Sequence, residues 1–170
     1  MRFPRHLART LTSCADARYV GDNLVVANAL GVDHPELSDR ERYVLDVRNP
    51  WSDDDAERVV RRPVPHVHVT AIPVLDGGPV PREAAVRAVA WYGNVRAKHP
   101  DALVVVNCLM GASRSATVAY AILRRCHGLD HAEAFRRVAT RAHKATDTRF
   151  WPSEETLSDV RAWCDAAEAT

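Results

Sequence analysis

Leu103-Val104-Val105-Val106-Asn107-Cys108-Leu109-Met110-Gly111-Ala112-Ser113-Arg114-Ser115-Ala116 joins a continuous apolar run to a short loop and then to a helical pattern. The run Leu103–Val106 predicts a strand buried on both faces, the kind found inside a parallel sheet. A loop between such a strand and a helix gathers backbone N–H groups in one concavity, and the helix N-terminus adds about half a positive charge. That junction is a cradle for an anion, phosphate above all. Gly111 in mid-loop lets the backbone approach the anion without a Cβ in the way. Arg114, six residues after Cys108, can fold back and grip two phosphate oxygens. Cys108 at the base of the loop feels the same amides and dipole, which favour its thiolate. The pattern predicts a thiolate nucleophile beneath a phosphate held by Leu109, Met110, Gly111, Ala112, Ser113 and Arg114. A buried structural cysteine is the competing reading.

Working outward, Asn23–Ala27 and Tyr43–Val47 read as short strands, and the alternating, β-branched His66–Val74 as a third. Leu75-Asp76-Gly77-Gly78-Pro79 is a strong turn. A helix is expected from Pro81 to Lys98, a turn at Pro100-Asp101, and a second helix over Ser113–Cys126 closed by His127-Gly128. Helical patterns return at His131–His143 and Ser153–Ala167, while Asp53-Asp54-Asp55 with Arg58, Arg61 and Arg62 reads as a solvated loop or short helix. Strands alternating with helices predict an α/β fold: a central, mostly parallel sheet of about four to five strands flanked by about five helices.

The chain has 170 residues and a mass of 18.9 kDa, which suits a single domain over residues 1–170, with 1–20 read as a ragged N-terminal extension. Apolar residues at 46% and charged residues at 26% exclude whole-chain disorder and fibrous architectures. A net charge of +1 offers no field for holding nucleic acid or anionic membrane. Of 23 basic residues only Lys98 and Lys144 are lysine, a bias attributed to codon composition. Apolar runs such as Ala102–Val106 are too short to span a bilayer. Four scattered cysteines and no secretory signal point to a reducing, cytoplasmic setting in which each Cys is a thiol.

The Cys108–Ser115 loop resembles the signature loop of the cysteine-dependent phosphatases, and the chain resembles the dual-specificity branch of the protein tyrosine phosphatase family. The resemblance runs from about Asn23 through Trp163 and is specific only at Asp76 and Cys108–Ser115. It implies a general acid on a separate loop, an Asp about thirty residues before the Cys, to protonate the leaving oxygen. Asp76 lies 32 residues before Cys108, directly after the strand end Ile72–Leu75. Asp101 sits at the wrong end of its strand and Asp46 belongs to another, so both are poorer candidates. Ser115 matches the family hydroxyl that hydrogen-bonds the thiolate and helps expel it, although Ser115 or Ser113 could instead cap the helix. The implied activity is phosphomonoester hydrolysis through a phosphocysteine intermediate, with no cofactor and no metal. The implied partner is a phosphorylated protein rather than a lipid, since the loop has none of the extra basic residues of phosphoinositide phosphatases; phosphotyrosine is the first expectation, with phosphoserine and phosphothreonine left open by the sequence. The chain is expected to act as a monomer, without nucleic acid or membrane.

One position departs from the family: Asn107 stands where His usually precedes the Cys. Asn can donate a hydrogen bond but carries no positive charge, which predicts lower activity at acidic pH than in relatives with His. It also leaves open a pseudophosphatase that binds phosphopeptide and turns it over weakly. A rhodanese-like sulfurtransferase is a rival, because Tyr43–Pro50 resembles the opening strand of that domain. Against it, 56 residues follow Arg114, more than such domains need. His66 and His68 lack a third metal ligand and read as ordinary strand residues. Cys14, Cys126 and Cys164 read as buried structural thiols, or as thiols that protect Cys108 from oxidation. Trp91, Trp151 and Trp163 read as core.

Overall fold

The computed structural model describes residues 17–29, 31–33, 37, 39–49, 65–141 and 150–168. Strands β1 (Ala17–Gly21), β2 (Leu24–Ala27), β3 (Arg42–Asp46), β4 (Val67–Ala71) and β5 (Leu103–Asn107) form one sheet in the order β1-β2-β5-β3-β4. The contacts β2–β5, β5–β3 and β3–β4 are parallel, and only β1 runs antiparallel to its neighbour. Helices α1 (Arg82–Lys98), α2 (Arg114–Cys126), α3 (His131–Val138) and α4 (Glu154–Glu168) flank the sheet. A two-residue pair, β6 (Thr140–Arg141) and β7 (Phe150–Trp151), precedes α4.

The expected apolar strand is β5, with all five residues buried between two cores. Val104, Val106 and Cys108 face the core beneath the helices, while Leu103 and Val105 face a second core with Val25, Ala27, Val32, Leu37 and Val44. Burial on both sides is why the run shows no polar alternation. Helix α2 is buried from Arg114 through Arg124 and is enclosed by α1, α3 and α4. Its small residues Ala116, Ala119 and Ala121 let neighbours approach, and Tyr120, Ile122 and Leu123 fill the space between them. Gly128 at φ 65 turns the chain out of α2, and the Leu129 N–H donates to the Leu123 carbonyl at 3.2 Å to close the helix end. At α4, Ser153 Oγ accepts from Thr156 N–H at 3.2 Å while Thr156 Oγ1 accepts from Ser153 N–H at 3.0 Å, a reciprocal cap.

Several boundaries differ from expectation. The sheet begins at Ala17, so the last four residues of the segment read as a ragged extension belong to β1; residues 1–16 lie outside the described part. The third strand ends at Ala71, and Ile72–Leu75 continues beyond the paired strand. Helix α3 stops at Val138 rather than His143 because Ala139 is extended, at φ -64 and ψ 136, and leads into β6. Four α-helices and one 3-10 turn, Gly31–Asp33, lie among the described residues. The acidic Asp53–Asp55 stretch with its arginines, like Cys14, lies outside them. Trp91 and Trp163 are partly buried against the main core. Among the described residues no helix is long and apolar enough to cross a membrane.

Candidate active site

Parallel strands deliver their C-terminal ends to one edge of the sheet, and the loop after β5 leaves the sheet at that edge between β2 and β3. Cys108 is the first residue beyond the strand and is almost fully buried. Its Sγ lies 3.2 Å from Ser115 Oγ and accepts the Gly111 N–H at 3.3 Å. The sulfur is thus met by one backbone N–H and one hydroxyl. Gly111 holds φ 69, and a Cβ built there would stand 2.8 Å from the Asn28 nitrogen and 2.9 Å from the Ala27 carbonyl carbon. The loop is therefore pressed against the end of β2, where the Ala29 N–H donates to the Leu109 carbonyl at 3.2 Å. Asn28 braces that end, its Oδ1 accepting the Gly31 N–H at 2.6 Å.

This geometry sets one expected result. Gly111→Ala should destabilise the protein by about 1–3 kcal/mol through left-handed strain and backbone collision. Gly78→Ala, where a Cβ meets nothing within 4 Å, should be nearly neutral. Urea midpoints at unchanged m-value check both; equal midpoints would contradict the packing.

Arg114 opens α2 and is buried. Its Nη1 donates to the Val74 carbonyl at 3.2 Å, and its Nε stands 3.2 Å from Asp76 Oδ1. The segment after β4 makes this possible. Ile72 and Val74 are buried in the main core, and the Ile72 N–H donates to the Asp46 carbonyl at 3.0 Å. Asp76, its side chain 60% exposed, projects beyond these anchors, followed by Gly77 at φ 83 with open space around it. Cys108 is thus joined to Ser115 and Gly111, and Arg114, the residue before Ser115, is joined to Asp76. Leu109 is half-buried, Ala112 is buried and Met110 is exposed.

The expected helix cap is not formed. Ser113 occupies the N-cap position without a side-chain hydrogen bond, and the Thr117 N–H bonds its carbonyl at 2.8 Å instead. The Ser115 hydroxyl is directed at Cys108. Asp101 lies at the opposite end of β5, in the turn that precedes the strand, where its carbonyl accepts from Arg40 Nη2 at 3.4 Å.

Asp46, set aside on sequence grounds, stands beside the residue preceding the cysteine. Its Oδ1 accepts from Asn107 Nδ2 at 3.4 Å and from Arg48 Nε at 2.8 Å. Asn28, against Gly111, and the Val74 carbonyl, against Arg114, are further contributors that spacing alone could not identify, because each is brought to the loop by the fold.

Among the described residues no group of three or more His, Cys, Asp or Glu is placed to hold a metal ion. His68 stacks on Tyr43 with centroids 4.6 Å apart and pairs with Glu41 at 3.2 Å. Cys164 is buried, whereas Cys126 is exposed, contrary to the expectation of burial.

No protein-family model matches the chain, and no curated protein matches it in sequence. Solved structures do match. Human DUSP28 superposes with a TM-score of 0.66 at 21% identity, covering 91% of this chain and 99% of that one. A human tyrosine phosphatase-like serine/threonine/tyrosine-interacting protein gives 0.69 at 12% identity, covering 92% and 100%. PTPMT1, crystallised in complex with PI(5)P, gives 0.65 at 16% identity, covering 91% and 99%. The chain has the fold of the dual-specificity phosphatases. At these identities the likeness is one of fold, and what the protein does is argued from its own residues.

Proposed function

We propose that the protein is a cysteine-dependent phosphatase of the dual-specificity type that hydrolyses phosphomonoesters on proteins, phosphotyrosine foremost. The observation that carries this reading is the convergence of Ser115 Oγ and the Gly111 N–H on Cys108 Sγ, with Arg114 and Asp76 paired beside them. The Cys108 thiolate attacks phosphorus in line, forming an S–P bond as the P–O bond to the substrate breaks. Asp76 delivers a proton to the departing oxygen. Water then attacks phosphorus, its proton passes to the Asp76 carboxylate, and sulfur leaves as thiolate with the Ser115 hydroxyl donating to it. Leu109–Ser113 supply the cradle, and the Arg114 fork binds the equatorial oxygens throughout.

Substrate class is supported by the rim. Leu75 and Met110, 72% and 43% exposed, flank the two loops that meet at Arg114. Apolar side chains there suit an aromatic ring next to the phosphate, and Arg114 is the only charged residue between Cys108 and Ser115. We place the enzyme in a reducing, cytoplasmic compartment and as a monomer, with no cofactor. The test compares para-nitrophenyl phosphate, phosphotyrosine and phosphoserine peptides, a phosphoinositide and thiosulfate. Aryl phosphates should be turned over fastest. Phosphopeptide binding without turnover would make the chain a binding module, as Asn107 first suggested, and sulfur transfer would make it a sulfurtransferase.

Asn107 also sets a pH prediction. Asn107→His places a group able to carry positive charge beside the Asp46 carboxylate and directly before Cys108. The variant should keep more of its kcat/KM on the acid side of the profile than wild type. Superimposable acid limbs would contradict a role for this position in poising the thiolate.

A further inference from the structure

We infer that Asp46 and Arg48 are positioning residues whose balanced charges poise Cys108 from behind the loop, an inference that rests on Cys108 being the nucleophile proposed above. Asp46 ends β3 and lies in register with Asn107, the residue immediately before Cys108. Its carboxylate, 14% exposed, accepts from Asn107 Nδ2 at 3.4 Å. That is the one hydrogen bond on the Asn107 side chain among the described residues, because the buried Asn107 Oδ1 has no partner there. Asp46 alone therefore orients this amide. Arg48 in turn clamps Asp46: its backbone N–H and Nε donate to Oδ1 at 3.1 and 2.8 Å, and its Nη2 contacts Oδ2. Between the two, the Val47 N–H donates to the Asn107 carbonyl at 2.9 Å, tying the strand end to the cysteine's neighbour.

Strand alternation separates this pair from the reacting face. Val44 and Val105, two residues earlier on each strand, belong to the second core, so Asp46 and Asn107 project to that side while Cys108 belongs to the first. The pair cannot touch substrate and acts through Asn107 and through charge. A carboxylate hydrogen-bonded to the residue before Cys108, in partly buried surroundings, opposes the thiolate by roughly a factor of ten. Arg48, only 6% exposed, cancels that field. On the other elements that meet the loop, Arg114 opens α2 and pairs with Asp76 from the loop after β4, while Asn28, at the end of β2, is uncharged.

The pH midpoint of iodoacetamide alkylation of Cys108, followed at the peptide level by mass spectrometry, tests this without relying on turnover. Arg48→Met should raise the midpoint by about one pH unit, Asp46→Asn should lower it by several tenths of a unit, and the double variant should return close to wild type. Opposite signs from the two halves of one ion pair are not what a merely structural role produces. A midpoint raised in both single variants, or a double variant whose midpoint stays raised, would overturn the inference. If Arg48→Met fails to fold, Asp46→Asn decides alone: an unchanged or raised midpoint overturns it. Opposite-signed effects in a protein that hydrolyses no phosphomonoester would uphold the charge balance and reject the phosphatase reading. Turnover with charge-independent alkylation would do the reverse.

Discussion

Cys108→Ser is expected to abolish phosphomonoester turnover, a loss of at least about a thousandfold. The hydroxyl that replaces the thiol is not ionised at neutral pH, and the loop's donors cannot make up a deficit of that size. Serine is smaller than cysteine and suits a site already furnished with polar donors, since Sγ lies 3.2 Å from Ser115 Oγ and 3.3 Å from the Gly111 nitrogen. The fold should survive, and so should the anion site, because Arg114 is held independently by the Val74 carbonyl and Asp76. Tungstate binding measured by calorimetry on the same variant separates the two roles. Retained binding with lost turnover is expected; retained turnover would remove Cys108 from the chemistry.

Asp76→Ala should lower kcat by about 10²–10⁴ for substrates with poor leaving groups and far less for activated aryl phosphates. A proton donor matters in proportion to the basicity of the oxygen that departs, so the variant's rate should fall steeply as leaving-group pKa rises while wild type stays nearly flat. Stability should hardly change, because the side chain is largely exposed and a Cβ at the neighbouring Gly77 or Gly78 would meet nothing within 4 Å. A different role would leave a different trace. Were Asp76 only to orient Arg114, with which it makes a 3.2 Å contact, all substrates would lose the same factor.

Much of this arrangement is legible in the sequence. The unbroken Leu103–Val106 run demands burial on both faces, and the helical pattern from Ser113 fixes where the loop must end. Cys108, Gly111, Arg114 and Ser115 are local to that junction, so their mutual placement follows from sequence spacing. Asp76 was reachable through the strand–turn boundary at Leu75. What escaped is what depends on strand order. β1 carries Arg18 and exposed Tyr19 on a sheet edge, and it pairs with β2 through a tight Asp22-Asn23 turn in which Asn23 takes φ 55. Its Gly21-Asp22-Asn23 turn suits a hairpin, but Ala17–Gly21 is short and lies mostly within the segment read as an N-terminal extension. Asp46 meets Asn107 only because β5 inserts beside β3, and Asn28 meets Gly111 only because β2 lies on the other side of β5. The Ser113 hydroxyl does not cap α2 although its residue type and position favour it, because the N-cap backbone, at φ -107 and ψ -80, departs from the extended geometry that capping uses.

The most direct measurement is rapid acid quench of the protein with a fast aryl phosphate, followed by mass spectrometry of the peptide containing Cys108. A phosphoryl group on Cys108 that accumulates within the first turnover, persists longer in Asp76→Ala and is absent in Cys108→Ser is the predicted result. Turnover with no phosphorylated cysteine at any quench time would contradict the account.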